Sequence, residues 1–340
     1  MNYEFKIKKK IILALALIFI VLAIPVWVLN SHAQPGPQAV QRPPITGVAY
    51  IMLRTSDFPA AKQFYGHILG LPEATIEFSV DETIPPPQGQ EQGTSRPRGT
   101  TPADSTPLTE MRFYVNENQF VNIVPGLTDP NEDRLVSIAF ETADIRKLQE
   151  YLEARNVKIM GPAGPGVMGF TVRDPDGHVV AFVEHVPGQS IFQHLREDQK
   201  ASRISQRMIH VGITVQDQAA ADRFYHDILG FHDIWHGGMK DDRTDWVDMR
   251  VPEGTDWLEY MLNSHNPTPR TLGVMHHMAL GVPSVAAGYK TVVERGFKPE
   301  EPKIGRDGKW QLNLYDPNGT RVELMEPKPV EKPCCSPILN

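Results

Sequence analysis

The chain has 340 residues, more than one hydrophobic core usually organises, so we expect about two domains. Hydrophobic residues make up 41% of it and charged residues 22%, as in a folded globular protein. The net charge of -7 excludes the broadly basic surface that nucleic-acid binding needs. We therefore expect a globular protein that does not bind nucleic acid.

The first predicted element is a targeting segment over residues 1–33. Lys6, Lys8, Lys9 and Lys10 precede an apolar run from Ile11 to Leu29, and Ser31-His32-Ala33 offers small residues for a cleavage site. The apolar run is also close to the length that spans a bilayer. The two alternatives are a cleaved signal peptide and a membrane anchor through residues 11–29. Both predict an exported chain that is periplasmic, secreted or anchored facing outside the cytoplasm.

An internal repeat follows a proline- and glutamine-rich linker over residues 34–44. Residues 50–70 align without a gap with residues 210–230, at an offset of 160 (210 minus 50). Each copy has an alternating apolar strand, then an Asp that caps a helix, then Leu-Gly at the helix end. The same first supersecondary unit is therefore predicted twice.

The later parts of the two copies also match. Residues 137–145 parallel residues 277–285, and the turn Asp174-Pro-Asp-Gly177 parallels Asp316-Pro-Asn-Gly319. The first copy contains an extra proline- and glycine-rich loop from Pro85 to Pro107. Each copy thus predicts two βαβββ modules, which is an α+β fold.

The predicted organisation is two tandem domains of this kind with a short connector and a tail. Domain one covers residues 45–186, the connector 187–207, domain two 208–327 and a flexible tail 328–340. The two cysteines, Cys334 and Cys335, are adjacent in that tail. Neighbouring cysteines do not easily reach the usual disulfide geometry, so we expect no structural disulfide.

Ligand-type side chains occupy four repeat-equivalent strand positions in the second copy. They are His210, Glu259, His277 and Glu323. The first copy has no strong metal ligand at the same positions, which hold Tyr50, Asn122, Ser137 and Ala181. One histidine on a strand is usually an ordinary polar residue, but four such residues in one copy favour a metal site. Because strand side chains alternate between faces, only one of His276 and His277 can face the site, and the alignment favours His277.

This donor set predicts a divalent metal and a chemistry. Two neutral imidazoles with one or two carboxylates suit Fe(II), Mn(II), Ni(II) or Zn(II) and leave coordination positions open for a small-molecule substrate. We expect all four side chains to converge on one ion. Dispersal of the pairs into separate clefts would contradict this.

The residues HVGITVQD, FYHDILGF, WLEYM, HMALGVPSV and YDPNGTRVELME together resemble the vicinal oxygen chelate superfamily. That superfamily includes glyoxalase I, bleomycin-binding proteins, fosfomycin resistance proteins and extradiol dioxygenases. The resemblance covers residues 45–186 and 208–327 and implies two domains of that fold. The four ligand candidates resemble the glyoxalase I site, which implies Glu259 or Glu323 as catalytic base. A degenerate first domain before a metal-bearing second one looks more like the extradiol enzymes.

Two departures from these relatives limit the functional prediction. Where extradiol enzymes have a tyrosine three residues before the final turn, this chain has Asn313, and residues 303–311 contain no histidine. The acid–base pair of ring cleavage is therefore missing or replaced. Moreover, His210 and Glu259 belong to a different module from His277 and Glu323. An intact site thus requires closure within domain two or a homodimer.

The sequence supports two functional hypotheses. The first is an exported metal-dependent enzyme, of dioxygenase or lyase/isomerase type, that acts on a small oxygen-rich substrate chelated by the metal. The alternative is a non-catalytic protein that binds or sequesters a small molecule, as resistance proteins do. The metal content of the purified protein separates these two hypotheses.

Overall fold

The computed structural model describes residues 40–78, 108–188, 190–262 and 266–339. The predicted targeting segment, residues 34–39 of the linker and the predicted Pro85–Pro107 loop lie outside the described residues. Within the described ranges, no helix has both the length and the apolar character to cross a membrane.

Domain one consists of two strand–helix–strand modules. The first contains β1 (Ile45–Thr55), α1 (Phe58–Ala61) continuing as a π-helical turn (Lys62–Ile68), β2 (Glu73–Phe78), β3 (Leu108–Tyr114) and β4 (Phe120–Pro125). The second contains β5 (Leu135–Thr142), α2 (Ile145–Glu153), β6 (Gly161–Pro162), β7 (Met168–Arg173) and β8 (Val179–Glu184). The connector forms a 3-10 turn (Ile191–His194) and α3 (Glu197–Ala201).

Domain two repeats this order and adds one helix before its second module. Its first module contains β9 (Arg207–Thr214), α4 (Gln218–Asp222) continuing as a π-helical turn (Arg223–Ile228), β10 (His232–Gly237), β11 (Trp246–Arg250) and β12 (Trp257–Met261). The added helix is α5 (Pro269–Met275). The second module contains β13 (His277–Gly281), α6 (Val285–Glu294), β14 (Lys303–Ile304), β15 (Lys309–Tyr315) and β16 (Arg321–Pro329).

Each domain is one eight-stranded sheet. The strand orders are β2-β3-β4-β1-β5-β8-β7-β6 and β10-β11-β12-β9-β13-β16-β15-β14. The first strands of the two modules pair antiparallel at the centre of each sheet, β1 with β5 and β9 with β13. Both modules of a domain therefore join within that domain, as one of the two alternatives for an intact metal site requires.

The helix boundaries follow the capping residues read from the sequence. The side chains of Asp57 and Asp217 each accept a hydrogen bond from the amide three residues later, at 3.0 Å, and so satisfy a free N–H of the first turn. Gly70 and Gly230 end these helical segments with φ of 67° and 81°, backbone angles that glycine adopts without a steric penalty. The equivalent caps fix equivalent strand–helix connections in both domains.

A reciprocal pair of buried hydrogen bonds joins the two domains. The Tyr65 hydroxyl of domain one donates to Asp316 Oδ2 at 2.9 Å, and the Tyr225 hydroxyl of domain two donates to Asp174 Oδ2 at 3.0 Å. Both aspartates belong to the Asp-Pro turns that the sequence repeat identified. Phe140 and Phe231 also pack edge to face across the interface, with ring centroids 5.0 Å apart. The two domains therefore share one continuous core.

The C-terminal tail is not the free segment that the sequence predicted. β16 extends to Pro329, and the following residues run along β10, where the Leu339 amide donates to the Ile234 carbonyl at 2.8 Å. The His236 amide donates to Ser336 Oγ at 2.9 Å. Cys334 and Cys335 are joined by a disulfide, a pairing that their adjacency did not favour, but it links no two elements of the fold. Hydrogen bonds to β10 thus hold the tail against domain two.

The reciprocal tyrosines provide a test of the domain interface. Tyr65→Phe leaves the buried Asp316 carboxylate without one donor, so we expect the free energy of unfolding to fall by about 1–3 kcal/mol. Tyr225→Phe should do the same to Asp174. Urea denaturation measures both variants, with Tyr289→Phe as the control because its hydroxyl contacts Glu301 at the surface. Equal stability of the interface variants and the control would contradict this account.

Candidate metal centre

The four ligand candidates lie on four neighbouring strands of the second sheet. His210 is on β9, Glu259 on β12, His277 on β13 and Glu323 on β16, and these strands are adjacent in the order β12-β9-β13-β16. The structure therefore brings both His–Glu pairs to one place inside domain two. No second copy of the chain is needed to bring these residues together.

Strand register sets the ligands in two rows across the sheet. In one row Glu259 and His277 flank Gly212, and in the other His210 and Glu323 flank Ala279. In each row, a small residue (Gly212 or Ala279) thus lies between two ligand candidates. A Cβ on Gly212 would lie 2.0 Å from His277 Cε1, so only glycine leaves room for that imidazole ring.

The two imidazoles and Glu259 form the tightest part of the cluster. The Nε2 atoms of His210 and His277 are 3.1 Å apart, and Glu259 Oε2 lies 3.0 Å from His277 Nε2 and 4.0 Å from His210 Nε2. One ligand atom from each residue lies within 4.8 Å of the other two. This spacing lets all three atoms approach one ion with small adjustments.

Glu323 lies at the edge of this group beside an arginine. Its Oε2 is 3.6 Å from His210 Nε2, while its Oε1 is 3.2 Å from Arg321 Nη1. Arg321 Nη2 donates to His277 Nε2 at 2.9 Å and lies 3.9 Å from Glu259 Oε2. The guanidinium thus places positive charge among the ligands. For His277 Nε2 to coordinate a metal, Arg321 would have to give up its hydrogen bond to that nitrogen.

Both histidines have the protonation that metal ligands need. His277 Nδ1 donates to the Met275 carbonyl at 2.7 Å, which turns the Nε2 lone pair towards the cluster. Burial and the Arg321 guanidinium lower the pKa of His277 to about 3. Burial lowers the pKa of His210 well below its ordinary value. Both rings are therefore neutral near pH 7.

A cleft of about 360 Å³ opens over the ligands. Several buried polar atoms of its walls have no hydrogen-bond partner within the described part of the chain: His210 Nδ1, Asp248 Oδ1, Trp257 Nε1, Asn313 Oδ1 and Arg321 Nε. Native proteins leave few such atoms unsatisfied unless a ligand or water completes them. The cleft therefore has the chemistry of a binding site for a small polar molecule.

Asp248 is a further carboxyl group in this cleft. It is the direct cross-strand neighbour of Glu259 and is almost fully buried. Burial, together with the negative charge of Glu259, raises the pKa of Asp248 well above its ordinary value. This carboxyl group is thus suited to hold a proton near neutral pH.

Domain one has the same strand register with different side chains. Tyr50, Met52, Asn122, Ser137 and Ala181 occupy the positions of His210, Gly212, Glu259, His277 and Glu323. Met52 fills the space that Gly212 leaves open, and the Tyr50 ring stacks on Phe120 with centroids 5.1 Å apart. The amide of Asn122 donates to Glu110 at 3.0 Å. The equivalent point of domain one is therefore filled with non-ligating side chains.

The residues of domain two fit a divalent metal ion. The set offers two neutral imidazoles held on rigid strands, one nearby carboxylate and a second carboxylate beside it. Glycine at position 212 makes the room that the set requires.

Our sequence reasoning missed Gly212, Asp248 and Arg321. An isolated glycine within a strand pattern signals a close approach, and Gly212 lies two residues after His210 on the same face. Arg321 lies two residues before Glu323 on β16, so the same alternation places both side chains on one face of the sheet. Asp248 needed the cross-strand register, which the sequence does not show.

Comparisons with known proteins agree with this architecture. The family model for the Glyoxalase/Bleomycin resistance protein/Dioxygenase superfamily matches residues 47–182 and 207–324. Comparison with curated protein sequences gives no match.

Similar solved structures include dioxygenases and a glyoxalase. The 2,3-dioxygenase LapB from Pseudomonas sp. KL28 has a TM-score of 0.61 at 14% identity, over 86% of this chain and 97% of that one. A Mn(II)-bound glyoxalase from Novosphingobium aromaticivorans has a TM-score of 0.58 at 17% identity, over 84% and 83%. An extradiol ring-cleaving dioxygenase from B. fuscum has a TM-score of 0.57 at 18% identity, over 86% and 74%.

At these identities the likeness of the solved structures concerns the fold alone. The family model, in contrast, matches both repeats and most of the chain. The protein belongs to the Glyoxalase/Bleomycin resistance protein/Dioxygenase superfamily, with two tandem domains of that fold.

Proposed function

We propose that this protein is a metal-dependent enzyme. It would remove a proton from a small substrate with two neighbouring oxygen atoms and return a proton to that substrate. The observation that carries the proposal is the set of carboxyl groups around the imidazole pair. Glu259, Glu323 and Asp248 all face the same cleft as His210. Family membership and the glyoxalase and dioxygenase neighbours support a reaction of this general class.

His210, His277 and Glu259 would hold the metal, with Glu323 as the fourth candidate ligand. When bound, a divalent ion supplies Lewis-acid polarisation of substrate oxygens. The Met275 carbonyl keeps His277 Nε2 unprotonated, and the sheet holds both rings in position. These residues supply a rigid site that is ready to accept the ion and one face of a substrate.

Glu259 is the proposed base, a role that it would take when displaced from the metal. Its carboxylate is in contact with the imidazole pair and opens on the cleft, so it can take a proton from a carbon next to a carbonyl group. Asp248, held protonated by burial and by Glu259, can give a proton back to the substrate. Glu259 as the base and Asp248 as the acid thus divide the two proton transfers.

The cleft favours proton transfer over oxidative ring cleavage. Among its described lining residues, His210 is the one histidine and tyrosine is absent. Asn313 is the cross-strand neighbour of Glu323 at the position where extradiol enzymes have tyrosine. The acid–base groups available to a substrate are therefore carboxyl groups.

A substrate panel with two readouts tests this function. Mn(II)-loaded protein is incubated with α-hydroxy carbonyl compounds, α-oxo compounds and catechols, while oxygen uptake and exchange of the substrate C–H with deuterated solvent are followed. We expect deuterium exchange without oxygen uptake. We further expect Glu259→Gln, under excess metal, to lower kcat by about 10²–10⁴-fold. Oxygen uptake with catechols, or metal-loaded protein that binds compounds without turnover, would contradict the proposal.

The glycine between the ligand strands gives a structural test of the metal site. Gly212→Ala places a Cβ 2.0 Å from His277 Cε1, so the imidazole must leave its position and we expect Mn(II) binding to be lost. Gly161→Ala is the control, since a Cβ there meets nothing within 4 Å. Isothermal titration calorimetry with Mn(II), with circular dichroism to check folding, distinguishes the variants. Unchanged affinity in folded Gly212→Ala would argue against His277 as a ligand.

The low pKa of His277 predicts an unusual pH dependence of metal affinity. An imidazole with the ordinary pKa of 6.5 is protonated as the pH falls below that value, and protonation opposes metal binding. Here the folded-state pKa is lowered to about 3, so protons compete only at much lower pH. We expect Mn(II) affinity to be nearly constant between about pH 7.5 and about pH 5.5. A loss of about 100-fold over that range would indicate two ordinary imidazoles instead.

A further inference from the structure

A second pair of histidines meets at the boundary between the two domains. His178 follows the Asp174 turn of domain one, while His276 ends α5 of domain two. Their Nε2 atoms lie 3.3 Å and 3.0 Å from the same hydroxyl oxygen, Oγ1 of Thr214 at the end of β9. All three side chains are buried. Two ring nitrogens from different domains thus converge on one point.

A carboxylate orients each of these rings from behind. His178 Nδ1 is 2.8 Å from Asp174 Oδ2, and His276 Nδ1 is 3.0 Å from Asp133 Oδ1. Proton donation from Nδ1 to a carboxylate leaves the Nε2 lone pair directed at Thr214. Histidines that bind metals usually donate their other ring N–H to a carboxylate or carbonyl in this way.

The Thr214 hydroxyl cannot donate to both imidazoles. A threonine hydroxyl has one hydrogen, so it can donate to only one of the two Nε2 atoms. In the described part of the chain, Thr214 is the hydrogen-bond partner of both. The second Nε2 atom is satisfied either by a proton, which the carboxylates around His178 favour by raising its pKa, or by a cation bound between the rings.

The proposed metal site of domain two provides an internal standard for the geometry. The ring centroids of His210 and His277 are 5.1 Å apart with an interplanar angle of 85°. Those of His178 and His276 are 5.2 Å apart with an angle of 87°. The second pair therefore matches the first in ring separation and ring angle.

The surroundings of the pair supply space and an excess of negative charge. A cavity of about 390 Å³ adjoins both rings and Thr214, and three carboxylates and one guanidinium also line it: Glu132, Asp133, Asp176 and Arg54. Water in the cavity can complete a coordination sphere. Three carboxylates against one guanidinium favour a cation as the occupant.

We propose that His178, His276 and the Thr214 hydroxyl form a second metal site, for a zinc-like divalent transition metal. Two imidazoles and a neutral oxygen suit Zn(II), Cu(II) or Ni(II) better than Mg(II) or Ca(II), which prefer several oxygen ligands. One ligand comes from domain one and two come from domain two. A bound ion therefore joins the domains and stabilises their interface.

Zinc titration of the full-length chain tests the second site independently of the first. The double variant His210→Ala/Glu259→Ala removes two ligands of the proposed catalytic site while leaving His178, His276 and Thr214 in place. We expect two equivalents of Zn(II) in the wild type and one in the double variant, by isothermal titration calorimetry. If the proposed catalytic site does not bind metal, the wild type would bind only one equivalent, and the double variant would still bind that same equivalent at His178, His276 and Thr214.

His178→Asn, added to the double variant, removes the second site with little disturbance. The asparagine amide can still donate to Asp174 as His178 Nδ1 does, but it lacks the Nε2 ligand atom. We expect the remaining zinc equivalent to be lost, together with the zinc-induced rise in Tm. His194→Asn is the matched control, because His194 is exposed in the connector. Zinc binding that is absent from the double variant, or that survives His178→Asn, overturns the proposal.

Electron paramagnetic resonance of Cu(II) covers the case in which His178→Asn fails to fold. In the double variant we expect hyperfine structure from two imidazole nitrogens on one tightly bound Cu(II). A spectrum with one nitrogen or none, or of weak surface binding only, overturns the proposal. In addition, Asp133→Asn should weaken zinc binding by about 10–100-fold, because it removes the carboxylate that orients His276.

Discussion

The register of four strands around Gly212 is the constraint on which the metal centre depends. Glu259 and His277 are the cross-strand neighbours of this glycine, and any larger residue would collide with the His277 ring. A slip of one residue would turn every ligand on that strand to the opposite face of the sheet. The antiparallel pairing of β9 with β13 fixes this register, and it also joins the two modules within one domain.

The duplicated architecture separates what the fold requires from what the chemistry requires. Domain one has the same strand order and register, and its first helix has the same aspartate cap, yet Met52 and Tyr50 fill the space that the ligands occupy in domain two. Its sheet thus retains the structural role while the ligands are absent. The reciprocal tyrosine–aspartate bonds show a further role, since domain one completes the buried interface on which domain two packs.

Much of the fold and the centre could be predicted because repeats make equivalent positions visible. The aligned capping aspartates, the Asp-Pro turns and the strand alternation predicted both domains, and comparison of the copies singled out His210, Glu259, His277 and Glu323. Asp248 needed cross-strand register. The convergence of His178, Thr214 and His276 depends on how the domains pack, and that information is distributed over the whole interface. The tail contacts domain two through hydrogen bonds to β10, which the sequence does not show.

Anomalous diffraction from crystals of the full-length protein grown with Mn(II) would locate the ion among the four ligand candidates. We expect a strong peak in domain two, about 2.0–2.2 Å from His210 Nε2, His277 Nε2 and a Glu259 oxygen. We also expect that the Arg321 guanidinium no longer donates to His277. A map without a peak between these side chains, or with Arg321 still bonded to His277 Nε2 at full metal occupancy elsewhere, would contradict this expectation.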